Sequence, residues 1–366
     1  MKILIIGFAK IKFMTYLSFY LNRIDTRKNE VHLIYWNRDN KREDTSHLNE
    51  LTLHEFIAHQ DDDALRLSKI GNFIKFREYA RKILKSDKFD LIIVLHTMPG
   101  VLLADELRKH YKNRYIYDYR DSTYEFFPPF RSIIAGLVKN ARATFVSSNA
   151  FRRFLPTSKE NHIFTSHNIS PDSLSHRNEK QKNGILSDKI RIAFWGIIRH
   201  EKINMEIIRK ISADERFELH YYGREQQIAF NLKSYVKNNR VKNVFFHGEY
   251  RNEERYKFVR KTDIIHNIYH DKNTMLAMGN KYYDGLLFYL PQLCMEGSYM
   301  GESCQKHDVG ISLNPYKEGF TDRIYEYYKG IDTALFKSKC DEALSGVMEE
   351  YYEGEKMLDK CLSFEK

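Results

Sequence analysis

The chain has 366 residues, enough for two domains of common size, and its 42% hydrophobic and 30% charged residues are those of a globular protein and exclude a disordered one. Its formal net charge of +10 is lopsided: residues 1–170 hold 28 Lys and Arg against 19 Asp and Glu, whereas residues 171–366 hold 31 against 30. The first half therefore suits an anionic partner, such as a phosphate-bearing substrate, an anionic lipid surface or nucleic acid.

In chain order, "MKILIIGFAKIKFMTYLSF" reads as a first β-strand and not as a signal peptide. Lys10 and Lys12 break the apolar run, and no small-residue cleavage site follows. Strand-like runs recur at "EVHLIYW", "DLIIVLH", "RYIYDYRD", "ATFVSS" and "HIFTSHN", nearly continuous in apolar residues, as in strands buried on both faces of a parallel sheet. Between them, "NFIKFREYARKILK" predicts an amphipathic helix with Phe73, Phe76, Ala80, Ile83 and Leu84 on one stripe. "LIIVLHTMPGVLLA" is too short, and too interrupted by His96 and Pro99, to span a bilayer.

Three polar residues mark strand ends in this half: His96, Asp121 in "YDYRDS", and His167 in "TSHN". A lone histidine there serves hydrogen-bonded structure or chemistry, and the neighbouring Asp118 and Arg120 can form a salt bridge. "EFFPPFRSIIAGLVKNARA" sets Phe126, Phe127, Phe130, Ile133, Ile134, Leu137 and Val138 beside Arg131, Lys139 and Arg142. It fits a core-facing helix or one resting on an anionic membrane.

Residues 171–189, "PDSLSHRNEKQKNGILSDK", have linker composition and place a domain boundary near residue 180. The strand rhythm then restarts at "RIAFWG", "FELHYYG", "NVFFHGEY", "DIIHNIY", "LPQLCM" and "VGISLN". Strand–helix alternation implies right-handed βαβ units and two doubly wound sheets. The expected organisation is an N-terminal domain over 1–175, a C-terminal domain over 185–325, and terminal helices over 326–366. Cys294, Cys304, Cys340 and Cys361 lack CxxC spacing and read as reduced thiols of a cytoplasmic chain.

Ligands of open α/β sheets bind at the carboxyl ends of strands. No GxGxxG is present there, only Gly7 and Gly196, which disfavours a nicotinamide-dependent dehydrogenase. In "RIAFWGIIRHEKINMEIIRKI", Arg199 and Lys202 lie between a strand and a helix N-terminus. That suits a diphosphate, or simply a solvated basic loop. In "MGNKYYDGLLFYLPQL", Gly279 and Asn280 start a helix, with Asn a favoured N-cap. Lys281 and Asp284 then share a face, as a phosphate-and-ribose grip or as an i,i+3 salt bridge. No His/Cys cluster has zinc spacing, and Ser147 and Ser148 lack a nucleophile-elbow context.

With the strand–loop–helix at 191–210, "YYGR" at 221–224, "HGEY" at 247–250 and "NKYYDGLLFYLP" at 280–291, the second half resembles the nucleotide-sugar domain of GT-B glycosyltransferases. The likeness is closest to the family 4-like enzymes of bacterial capsule, O-antigen and exopolysaccharide synthesis. It extends more weakly into the first half through "YIYDYRDS", "ATFVSSNAFRRFLP" and "FTSHN".

The resemblance implies an α/β fold of two Rossmann-like domains facing a central cleft, with terminal helices returning to the first domain. It implies a retaining transfer, of hexosyltransferase type, from a UDP- or GDP-sugar to a saccharide or polyprenyl-linked acceptor. The protein would work in the cytoplasm or at the inner face of the membrane, with no cofactor, no metal and no nucleic acid. Donor-site residues would be Gly196, Arg199, Lys202, Asn280 and Lys281, with Asp284 on the ribose and Glu249 and Tyr250 beside the nucleobase. Arg199 and Lys202 would act catalytically by neutralising the departing diphosphate. Asp121 would orient or deprotonate the acceptor hydroxyl, with His96 and His167 as further acceptor-side candidates.

The chain departs from the family pattern in having Gly279 where Pro is usual, Asp284 for the second acid of a Glu-x7-Glu pair, and Leu276 for the first. "HQDDDALRL" holds the Asp-x-Asp of the other large glycosyltransferase class but follows no strand, and reads as acids at a helix N-terminus. Two rivals remain, a nucleotide-sugar epimerase of the same fold and a non-catalytic basic nucleic-acid-binding protein. The second lacks any recognisable RNA or DNA motif.

Overall fold

A computed structural model describes residues 1–60, 69–169, 171–178, 188–251 and 254–363. The Asp-x-Asp at 61–63 and most of the linker around residue 180 lie outside the described residues, but a strand, Thr52–Ile57, does precede the Asp-x-Asp, contrary to the reading that it follows none. The chain divides into two compact units, one of Met1–Asn168 with Met348–Lys366 and one of Ile169–Val347.

In the first unit, strands β1 (Lys2–Ile6), β2 (Glu30–Asn37), β3 (Thr52–Ile57), β4 (Leu91–Leu95), β5 (Tyr115–Tyr119), β6 (Ala143–Val146) and β7 (Ile163–Thr165) form one sheet. Their order is β3-β2-β1-β4-β5-β6-β7, and all neighbours are parallel. Residues 3–6 of β1 and all five residues of β4 are buried, which is why those segments are apolar without alternation. The edge strand β3 escapes the sequence reading because His54 and Glu55 interrupt it and only Phe56 is buried.

The predicted helix spans Ile70–Ser86 and buries Phe76, Ala80 and Leu84, while Phe73 and Ile83 are half-buried. Phe76 stacks on the fully buried Trp36 at 5.7 Å. The 125–143 segment divides. The helix Pro128–Asn140 buries Phe130, Ile134, Leu137 and Val138, so its core-facing reading holds. Phe126 and Phe127 precede it and are 69% and 55% exposed.

In the second unit, β8 (Ile190–Trp195), β9 (Phe217–Tyr222), β10 (Val244–Phe246), β11 (Ile264–Asn267), β12 (Gln292–Met295) and β13 (Gly310–Leu313) form a parallel sheet. Its order is β10-β9-β8-β11-β12-β13. The helix Glu201–Ser212 presses Ile203, Ile207, Ile208 and Ile211 onto this sheet. Strand order reverses between β1 and β4 in one unit and between β8 and β11 in the other, which makes those carboxyl ends the expected ligand sites.

All four cysteines are unbridged and buried. The long helix Thr333–Leu362 starts in the second unit and ends in the first. Among the described residues no helix is long and apolar enough to cross a membrane.

Candidate functional site

The donor-side residues of the second unit gather at its switch point. β8 ends in Gly196 (φ 125°), and β9 ends in Gly223 (φ 153°), where a Cβ would lie 1.6 Å from the Gly196 carbonyl oxygen. Only glycine permits that approach. Gly196 N–H donates to Tyr222 O at 2.8 Å and Gly223 N–H to Gly248 O at 2.7 Å, which fixes three strand ends together.

Against this bare backbone sits Lys281. Its ammonium lies 4.4 Å from the Phe194 ring centroid and 5.0 Å from that of Tyr269, and 3.5 Å from where a Cβ of Gly196 would be. Burial pushes the Lys281 pKa down to about 7; Asp284 opposes the shift and Arg199 adds to it. A cation so desolvated gains more than a surface lysine from meeting a phosphate.

The helix carrying it, Asn280–Leu287, is capped by Gly279 with no side-chain hydrogen bond. Asn280 is therefore the exposed first helical residue and not the N-cap. The extended backbone of Gly279 (φ −75°, ψ 152°) already supplies the cap geometry, so no Asn side chain is needed there.

Arg199 and Lys202 are exposed, and among the described residues neither forms an ion pair. The Arg199 loop is nonetheless held from within. Buried Asn204 donates to Arg199 O at 2.6 Å and to His200 O at 3.3 Å, while the Tyr221 hydroxyl donates to Asn204 Oδ1 at 2.9 Å. His266 completes the network: its Nδ1 accepts from Ile268 N–H at 3.0 Å, so its Nε2 carries the proton that faces Asn204 Oδ1 at 3.4 Å. Burial pushes the His266 pKa down to about 3, which keeps the ring neutral.

The i,i+3 salt bridge between Lys281 and Asp284 does not form. Asp284 is 7% exposed and pairs with Arg255 at 3.3 Å instead. Burial raises its pKa against the pull of Arg255 and Lys281. Arg255 in turn donates to Ser173 Oγ at 3.0 Å. The Tyr250 hydroxyl belongs to the same cluster: its pKa is pushed up to about 12 by burial and by Asp284, against Arg255. Glu249 beside it is exposed. Arg255 was missed in the sequence because it sits in a short basic helix, Arg255–Val259, with no motif around it.

In the first unit, His96 and Asp121 follow the adjacent strands β4 and β5. They form one pair, with His96 Nε2 2.7 Å from Asp121 Oδ2. His96 Nδ1 accepts from Met98 N–H at 3.3 Å, so the ring proton is on Nε2, toward the carboxylate. His96 has φ 87° and ψ 151°, a conformation rare for any residue but glycine. Asp121 is anchored through its backbone, with Thr97 Oγ1 donating to its carbonyl at 2.7 Å.

Asp118 and Arg120 form the buried salt bridge (2.9 Å), with Arg120 also over the Tyr16 ring at 3.8 Å. His167 is placed elsewhere: its Nε2 meets Glu350 Oε2 at 3.1 Å. Burial would raise the Glu350 pKa, but the hydrogen bonds and charge of His167, with Asn149 and Thr165, bring it down to about 2. Among the described residues, the one group of three metal-capable side chains is Glu30, His32 and Asp87. It lies at the amino ends of the strands, and the Lys2 ammonium already pairs with both carboxylates.

Two all-parallel Rossmann-like sheets of seven and six strands make this the GT-B fold. Among solved structures, the chain is similar to the sucrose-phosphate synthase of Thermosynechococcus elongatus, with TM-score 0.70 and 11% identity over 97% of this chain and 96% of that one. It is similar to Anabaena HepE in complex with UDP and glucose, with TM-score 0.66 and 12% identity over 99% of each chain. The lipopolysaccharide outer core galactosyltransferase WaaB in its apo form gives TM-score 0.61 and 11% identity over 97% of this chain and all of that one. No protein-family model and no curated protein sequence matches the chain.

Proposed function

We propose that the protein is a glycosyltransferase that moves a sugar from a nucleoside diphosphate to a saccharide or lipid-linked saccharide, in the synthesis of a bacterial surface polysaccharide. The observation that carries this reading is the desolvated Lys281 ammonium beside Gly196, with Arg199 on the loop that leaves the same strand. Lys281, Arg199 and Lys202 hold the diphosphate and stabilise its departing charge. Asp284, set by Arg255, accepts the ribose hydroxyls, and the Glu249–Tyr250 backbone lies beside the base. The UDP in the HepE structure makes UDP the first nucleotide to try.

The test is calorimetric titration with UDP, GDP, CDP and dTDP. One of them is expected to bind, and Arg199→Ala to weaken it by about tenfold, or ~1.4 kcal/mol. If none binds, the donor assignment fails. Because three cations face the diphosphate, transfer is expected to survive EDTA; a requirement for added Mg2+ or Mn2+ would contradict this.

On the acceptor side, the His96–Asp121 pair holds the acceptor hydroxyl. We take the stereochemical course to be retention, which puts the incoming hydroxyl and the departing diphosphate on one face of the sugar. The hydroxyl proton can then pass to the departing phosphate oxygen. An inverted product, read by NMR, would make Asp121 the proton acceptor instead.

Exposed Phe126 and Phe127, followed by exposed Arg131, suit peripheral contact with an anionic membrane bearing a lipid-linked acceptor. The protein is expected to pellet with anionic vesicles at low salt, and Phe126→Ser with Phe127→Ser to release it. Failure of the unaltered protein to pellet removes the membrane from this reading.

A further inference from the structure

We propose that His200 and Asp271 form the subsite that reads the hydroxyl groups of the donor sugar, an inference that rests on the donor reading above. The two residues leave the two strands that flank the switch point of the second sheet, His200 after β8 and Asp271 after β11. His200 stands next to Arg199 and adopts the left-handed conformation (φ 60°, ψ 64°) at the N-cap of the helix Glu201–Ser212. Asn204 holds it there through the carbonyls of both Arg199 and His200. The backbone that carries the ring is thus fixed by the network that fixes the Arg199 loop.

The Asp271 carboxylate is divided between two tasks. Its Oδ1 accepts from the backbone of Asn273 at 2.8 Å and Thr274 at 2.9 Å, which folds the loop around it. Its Oδ2 lies 3.3 Å from His200 Nε2. That contact has the distance of a hydrogen bond but not its alignment, and the buried Nε2 has no hydrogen-bond partner among the described residues. The Asp271 side chain is 42% exposed, so a ligand hydroxyl can reach its carboxylate, and a small turn of the imidazole then gives Nε2 the partner it lacks. The carboxylate accepts from a hydroxyl, and the imidazole can donate to or accept from its neighbour.

The distances suit one sugar ring beyond a diphosphate. The Tyr269 ring neighbours both sites, 5.0 Å from the Lys281 ammonium and 5.8 Å from the His200 ring. Leu276, in the same loop as Asp271, cannot accept a hydrogen bond from a hydroxyl. Asp271 can.

The experiment compares UDP with UDP-glucose, UDP-galactose and UDP-N-acetylglucosamine, and GDP with GDP-mannose, by calorimetry on the unaltered protein, Asp271→Asn and His200→Gln. Each variant is expected to keep its affinity for the free diphosphate within about twofold. For the preferred nucleotide-sugar, the affinity relative to that diphosphate should fall tenfold or more. Asp271→Glu should restore part of the preference. Equal losses for diphosphate and nucleotide-sugar, or no change in either, would overturn the subsite while leaving the donor reading intact. Failure of the unaltered protein to bind any diphosphate would instead remove the donor reading, and this inference with it. Retained diphosphate binding also shows that each variant is folded.

Discussion

Lys281→Ala is expected to weaken nucleoside-diphosphate binding by roughly tenfold to a hundredfold, the range of a charge-assisted hydrogen bond in a desolvated place. It should also remove most of the pH dependence of that binding. The free protein holds Lys281 near pKa 7, and a bound diphosphate raises that value by its negative charge. The contribution of Lys281 to affinity is therefore fully present below about pH 7. Above it, affinity falls by up to tenfold per pH unit until the pKa of the complex is reached. Binding should take up about half a proton at pH 7 and close to one at pH 8, read by calorimetry in two buffers of different ionisation enthalpy.

Stability runs the other way. The unfolded chain binds a proton at Lys281 up to about pH 10.5 while the native chain releases it near 7. The unliganded protein therefore gains stability from this residue as pH rises through that window. A Lys281→Met variant should show neither slope. Proton uptake unchanged in Lys281→Ala would show that another group faces the diphosphate.

Asp121→Asn is the second large effect. It keeps the shape of the pair and a hydrogen bond from His96 Nε2, yet it removes the charge we propose to hold the acceptor hydroxyl. The expected result is a fall in kcat on the order of a hundredfold, the usual consequence of a misplaced reacting group, with diphosphate affinity unchanged. His96→Gln should give a smaller loss in the same direction, because Asp121 keeps its charge and loses only its orienting partner. If Asp121→Asn transfers sugar at the unaltered rate, the pair is structural and the φ of 87° at His96 needs another explanation.

The regular part of the fold was legible because its signal is local. Twelve of the thirteen strands read as apolar or aromatic runs, most of them because burial on both faces leaves no room for alternation, although β9 and β10 are only partly buried. The thirteenth, β3, sits at an edge and carries His54 and Glu55, so its composition is that of a loop.

Within the sites, single residues were visible but their partners were not. Asp284 was visible from its spacing to Lys281, but its counter-ion Arg255 comes from another helix and no periodicity links them. His96 and Asp121 each stood out as strand-end residues, and only the adjacency of β4 and β5 makes them a pair. His200 lay unnoticed between Arg199 and Lys202, because its significance comes from a backbone angle and from Asp271 across the switch point.

The first unit closes only with the last residues of the chain. Tyr351 packs edge-on against Phe19 at 5.3 Å, Glu350 meets His167, and Arg23 pairs with Asp359. On the ribosome, Asn168 and Met348 are separated by the 179 residues Ile169–Val347, roughly 10–40 s of synthesis at ordinary rates. Through that interval Phe19 lacks its cover and His167 its carboxylate. The second unit, contiguous from Ile169 to Val347, is complete in sequence before its predecessor is. The carboxyl-terminal cover of the first unit is therefore synthesised only after the whole of the second.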